Sequence, residues 1–223
     1  MNPNSKSESQ RESSGASAPG AVRPLRERLR EETSRAIVAA AEKVFAAQGI
    51  HAARMEEIAA SAGVSVGTVY NHFEDRDALL TALLADRRAE LCARLDLALD
   101  QGAREPFPLQ LERFITALFL HFESHRPFLS IVIEGEHARS PTLPPPCAKP
   151  SEAMNEIYQR AEKLMHRGVQ KKVLRGEGAL LWPALFMGCV KGALVQEIYR
   201  PSAASLVARA PELVRFFLEG AKA

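Results

Sequence analysis

The chain has 223 residues, 46% of them hydrophobic and 25% charged, with a formal net charge of +2 at pH 7. That supplies core for one large domain or two small ones, and a charge so near zero means that any footprint for nucleic acid has to be local. The three cysteines, Cys92, Cys147 and Cys189, are far apart and lack CxxC spacing, which excludes a disulfide framework and a zinc knuckle and fits a reducing cytoplasm.

Residues 1–22 are rich in Ser, Gly, Glu and Lys with almost nothing to bury, so they read as a disordered tail without signal-peptide character. Arg23, Arg26, Arg28 and Arg30 then set four arginines against Glu27. Such a run is either a solvated helix start or an arm that follows phosphates or the minor groove. A first helix begins between Leu25 and Thr33 and runs to Gln48, with Ile37, Ala41, Val44 and Phe45 on one face and Gly49 as its stop.

The stretch Met55 to Leu80, MEEIAASAGVSVGTVYNHFEDRDALL, carries the strongest signal. Ile58, Ala59 and Ala62 give a short helix one apolar face, and Gly63 closes it in the left-handed conformation that glycine adopts at no side-chain cost. Val64 follows as an apolar plug, and Ser65 caps a second helix. On that helix Val69 and Phe73 face inward, leaving Val66, Gly67, Thr68, Tyr70, Asn71 and His72 nearer the surface. This is helix-turn-helix spacing, in which the start of the second helix enters the major groove and flanking polar groups hold phosphate.

Ile58-Ala59, Gly63-Val64-Ser65, Gly67-Thr68, Tyr70, His72-Phe73 and the basic Arg76 together resemble the DNA-binding domain of the TetR (tetracycline repressor) family of bacterial transcriptional regulators. The resemblance implies that Thr68, Tyr70, His72 and Arg76 meet the DNA backbone, and that Val66, Gly67 and Asn71 lie nearest the base edges. The chain departs from the family pattern at two positions. Arg54 stands where Ser or Thr often caps, offering a cation for phosphate, and Val66 stands where Lys or Arg is frequent, offering an apolar contact of the kind a thymine methyl accepts. Arg54, Ser65, Val66, Gly67, Thr68, Tyr70, Asn71, His72 and Arg76 are therefore the candidate DNA-binding residues.

Asp75 caps a long fourth helix with Leu80, Leu83, Leu84, Leu91, Leu95 and Leu99 at three- and four-residue spacings, which makes it the connection between head and body. After a break at Gly102 to Pro108, a fifth helix carries Leu111, Phe114, Ile115, Leu118, Phe119 and Phe122. A short helix is expected from Phe128 to Ala138, then a proline-rich loop from Ser140 to Pro150. Ser151 caps the next helix, striped by Met154, Ile157, Tyr158, Ala161, Leu164, Met165 and Val169. Two further helices are expected, from about Gly178 to Tyr199 and from Ala203 to Glu219. The apolar run Ala179 to Val190 is too short to span a bilayer and contains Pro183, so no membrane association is expected.

The helix ending at Tyr199 is apolar nearly all round, so one side serves its own core and the other needs a partner, unless it is the central helix of a monomer. The family resemblance implies that the last two helices pair with their copies in a four-helix bundle. Leu181, Leu185, Gly188, Cys189, Gly192, Gln196, Leu213 and Phe217 are the candidate dimer residues, Gly188 and Gly192 permitting close approach. Two heads roughly 34–36 Å apart would match a near-palindromic operator in double-stranded DNA.

Phe114, Leu118, Phe122, Phe128, Met154, Tyr158, Met165, Trp182 and Phe186 either fill a solid core or line an apolar pocket. The resemblance to ligand-responsive repressors favours a pocket for a small, largely apolar effector that tilts the fourth helix. His121 and His125 lie one turn apart with Glu134, Glu136 and His137 following, but no third ligand is fixed in sequence, so no metal is expected, and no cofactor. No phosphate loop, nucleophile motif or paired acid points to an enzyme.

The resulting expectation is an all-α, cytoplasmic, homodimeric regulator, read as a repressor. It has a tail at 1–22, a three-helix helix-turn-helix domain at 23–78, and a helical regulatory and dimerisation domain at 79–223. A helical dimeric adaptor that has lost DNA recognition is the alternative.

Overall fold

The computed structural model describes residues 24–129, 131–132, 152–177, 179–201 and 204–221. The expected tail, Arg23, the loop Ser140 to Pro150, Ser151 as a cap and Glu134, Glu136 and His137 lie outside them. The order of helices is α1 (Leu25–Gln48), α2 (Met55–Ala62), α3 (Val66–His72), α4 (Arg76–Gln101), α5 (Phe107–Ser124), α6 (Glu152–Gln170), α7 (Trp182–Tyr199) and α8 (Ala210–Ala221), with a 3-10 turn at Val207–Arg209 before α8. No strand occurs among the described residues.

The turn between α2 and α3 is built from local chemistry. Gly63 sits at φ 69°, its amide donating to Ala60 at 3.2 Å, while the Val64 amide donates to Ala59 at 3.1 Å. This is the Schellman arrangement that satisfies the last carbonyls of a helix, with Val64 packing back on the core. Asp75 Oδ1 accepts from the Ala78 amide at 2.7 Å and so starts α4.

Two apolar cores follow. In the first, Ile37, Ala41, Val44 and Phe45 of α1 close over Ile58 and Ala59 of α2 and Val69 of α3, together with Leu79 and Leu83 from the start of α4 and Ile131 from the segment after α5. In the second, Leu91, Leu95 and Leu99 from the rest of α4 pack with α5, α6, α7 and α8. Each fully buried side chain of this kind contributes about 1.5–3 kcal/mol. Thus α4 is one rigid element with its ends in different cores. Around its middle, Arg87 Nε and Nη2 both donate to Glu42 Oε2 on α1 at 2.8 Å, with Glu42 only 5% exposed.

Boundaries differ from the sequence expectation at three places. The helix expected from Gly178 begins at Trp182, because Pro183 takes the first turn, where its missing amide proton costs nothing. The final helix starts at Ala210 after the 3-10 turn, not at Ala203. Of the short helix expected over Phe128 to Ala138, residues 126–129 and 131–132 are helical and the remainder lies outside the described residues.

Gly168 of α6 marks a close approach: a Cβ there would lie 2.8 Å from Leu174 Cδ1 and collide with the Phe107 ring, which is 1% exposed. Gly168→Ala should cost about 1–3 kcal/mol of stability through overpacking. Urea unfolding measures this, and an unchanged midpoint would contradict the contact.

Candidate nucleic-acid interface

The seven residues of α3 are held by a hydroxyl pair at their start. Ser65 Oγ accepts from the Thr68 amide at 3.1 Å and lies 2.8 Å from Thr68 Oγ1, so both side chains are oriented before any ligand arrives. Val69 is fully buried and anchors the helix, while Gly67, Tyr70 and Asn71 are exposed and Thr68 and His72 are half-buried. Tyr70 exposes 49% of its surface, a large amphipathic side chain presented to solvent next to two polar ones.

Three more of the candidates have defined surroundings in the structure. Val66 is half-buried and packs on the first core, so much of its apolar surface is spent inside the head. Arg76 Nη1 donates to the His51 carbonyl at 2.7 Å and its Nε lies 3.5 Å from Asp77 Oδ1, which ties the start of α4 to the turn between α1 and α2. Arg54 precedes α2, where its amide donates to Glu57 Oε2 at 3.3 Å while its side chain is exposed. A fourth, His72, shares a cleft with Arg30 and Ser34 of α1 and with Glu27 and Glu31. Ser34 joins that cleft from a different helix, 38 positions before His72.

In the second core, a cleft of about 280 Å³ lies between α4, α5, α6 and α7. Leu118, Phe122 and Tyr158 of the expected set line it; Leu91, Leu129, Val132, Ile157, Met187 and Leu194 were not foreseen. Phe114, Phe128, Met165, Trp182 and Phe186 do not line this cleft; they are buried in the second core. There Phe114 meets Phe186 at 5.8 Å between ring centroids, and the Trp182 indole donates to the Arg175 carbonyl at 2.8 Å. The Met154 side chain lies outside the described residues.

An exposed stripe runs along α7. Leu181 and Leu185 are 55% and 45% exposed, Gly188, Gly192 and Gln196 are exposed in line with them, and Cys189 is half-buried beside them. On α8 Leu213 is half-buried. Phe217 does not belong to this face: it is 5% exposed and packs edge-on to Trp182 and Phe186, following Ala210 and Val214 at i+7 and i+3 spacing. Phe216, one position earlier and so about 100° round the helix, takes the outward place at 68% exposure.

Among the described residues no helix is long and apolar enough to cross a membrane. Residues 37–83, from the middle of α1 to the first turns of α4, match the family model for bacterial regulatory proteins of the tetR family. The chain is 36% identical over 103 residues to the HTH-type transcriptional regulator SrpR of Pseudomonas putida, a match covering 46% of each protein. It is 35% identical over 103 residues to a second Pseudomonas putida protein, the uncharacterized HTH-type transcriptional regulator TtgW, covering 46% of this chain and 74% of that one. The fold is that of the transcriptional regulator FadR from Bacillus subtilis, solved in complex with stearoyl-CoA, with a TM-score of 0.67 at 18% identity over 83% of this chain and 98% of that one. With the helix-turn-helix, its glycine corner and these matches in place, the chain belongs to the TetR family of bacterial transcriptional regulators.

Proposed function

We propose that this regulator binds a near-palindromic DNA operator as a homodimeric repressor and is released by a small, largely apolar effector. The observation that carries the reading is the rim of α3, where Gly67, Tyr70 and Asn71 stand exposed on a seven-residue helix anchored by one buried valine and braced by Ser65 and Thr68. A helix too short to be stable alone that turns its polar side outward is suited to reading a groove. The exposed arginines Arg26, Arg28 and Arg30 at the start of α1 add the cations that hold phosphate.

A gel-shift titration against the DNA upstream of the protein's own coding region, at two salt concentrations, tests this. Binding should weaken steeply with salt. Tyr70→Ala should weaken binding to every sequence about 10- to 100-fold, the loss of a hydrogen bond to a charged oxygen. Asn71→Ala should instead change base preference at one position by about 1–3 kcal/mol. Equal uniform losses in both variants would overturn this division of labour, and no retardation even at low salt would favour the adaptor reading.

The cleft between α4, α5, α6 and α7 supports the effector reading. Its lining is apolar apart from the Tyr158 hydroxyl and Lys191, and α4 forms one wall through Leu91, so occupancy bears on the helix whose other end lies in the head core. An effector shifts the head only as far as its affinity differs between two arrangements of α4.

A further inference from the structure

A cluster at the seam between the two cores belongs to neither the DNA rim nor the cleft. His121 of α5 is fully buried, and neither Nδ1 nor Nε2 has a hydrogen-bond partner among the described residues. One turn later, where α5 ends, His125 points Nε2 at Glu90 Oε2 of α4 at 3.1 Å and Nδ1 at Glu42 Oε1 of α1 at 3.6 Å. The two imidazoles are 5.0 Å apart between centroids, and Glu90, His121 and His125 each offer a donor atom within 4.8 Å of the others.

We propose that Glu90, His121 and His125 hold a divalent transition-metal ion, with zinc the best match to two imidazoles and one carboxylate, and that Glu42 orients His125 from outside the coordination shell. An imidazole carries one donor and one acceptor, and leaving both unsatisfied in a dry interior is costly unless something unrecorded pairs with them. His121 is also held neutral, as a ligand must be: burial first, then the neighbouring His125, lowers its pKa from 6.5 to about 4. Donor atoms in a tetrahedral zinc site lie about 3.3 Å apart, so the Glu90–His125 pair at 3.1 Å already fits, and the His121 atom, within 4.8 Å of both, would move inward on binding.

The outer groups fit as well. Glu90 divides its oxygens, Oε1 accepting from Arg94 Nη2 at 2.8 Å and Oε2 facing His125, which leaves Oε2 as the metal ligand. With Nε2 on the ion, His125 Nδ1–H faces the Glu42 carboxylate, the outer contact that fixes ring orientation in metal sites. Arg87, with Nη1 3.4 Å from Glu90 Oε2, and Arg94 bring two positive charges that oppose the cation, so the affinity should be micromolar rather than nanomolar. Glu90 lies on α4 and the histidines on α5 and its end, so the ion would pin α5 to α4, with α1 reached only through the outer contact of Glu42.

The test uses the full chain, stripped with chelator and titrated with zinc against a chromophoric indicator, then with cobalt to read the visible band of a tetrahedral ion. One equivalent per chain is expected. His121→Leu should weaken binding at least 100-fold and abolish the cobalt band, and Glu42→Gln should weaken binding about 10- to 100-fold. The double variant His121→Leu/His125→Leu, checked by circular dichroism to retain its helix content, should bind no zinc at this site. Zinc binding by the wild type that is absent, or that equals that of the folded double variant, would overturn the assignment. Neither result bears on operator binding.

Discussion

In the proposed homodimer, Leu185→Glu should leave each subunit folded yet raise the dissociation constant by about a thousandfold or more. Leu185 is 45% exposed on the outward stripe of α7 and does not line the apolar cleft, so a carboxylate there costs the isolated subunit little. In a two-fold dimer the substitution is made twice and on the same surface. Two carboxylates would be desolvated close together among Leu181, the open glycines and Phe216, where like charges cost several kcal/mol. About 4 kcal/mol corresponds to roughly three orders of magnitude in affinity. Sedimentation equilibrium reads the association directly, and a gel shift should show operator binding falling with it. A variant that remains dimeric at micromolar concentration would mean that subunits meet through another surface.

Glu42→Ala should destabilise the fold by about 3 kcal/mol, the lower end of the range for breaking a buried ion pair. Glu42 is 5% exposed and takes both Arg87 Nε and Nη2 on one oxygen at 2.8 Å. Its removal leaves the Arg87 guanidinium, 13% exposed, with Asp86 at 3.2 Å and Glu90 at 3.4 Å, which offsets part of the loss. Glu42→Leu combined with Arg87→Leu should recover most of the stability, because replacing both charges by apolar side chains removes the desolvation penalty as well as the attraction. Urea unfolding of the wild type, Glu42→Leu, Arg87→Leu and the double variant completes the cycle. A double variant as unstable as the sum of the singles would show that the pair is not coupled.

The parts of the fold visible in the sequence are those decided within a few residues. Gly63, Ser65 and Asp75 each act on amides or carbonyls three or four positions away, so the corner and both helix starts could be read directly. The outward side of α7 was legible because Leu181, Leu185, Gly188, Gly192 and Gln196 share one helical face. What could not be read depends on distant partners. Whether Phe216 or Phe217 faces out is set by where Trp182 and Phe186 lie, and Arg76 is drawn to a carbonyl 25 positions earlier. Most of the cleft lining was missed because aromatic rings were expected there, whereas Phe114 and Phe186 meet at a tilt within solid core and the cleft is bounded largely by aliphatic side chains. The seam cluster draws on α1, α4 and α5, and its members Glu42 and Arg87 are 45 positions apart, beyond any periodicity.

The first core also has a consequence for exchanging parts between related regulators. It is completed by Leu79 and Leu83, inside α4, and by Ile131, which comes from the segment after α5. A fragment cut after residue 78 would lose three of its interior side chains and should be poorly folded by itself. A chimera that grafts this recognition module onto another scaffold therefore has to carry the first two turns of α4 and find, in the recipient, an aliphatic residue to stand where Ile131 does.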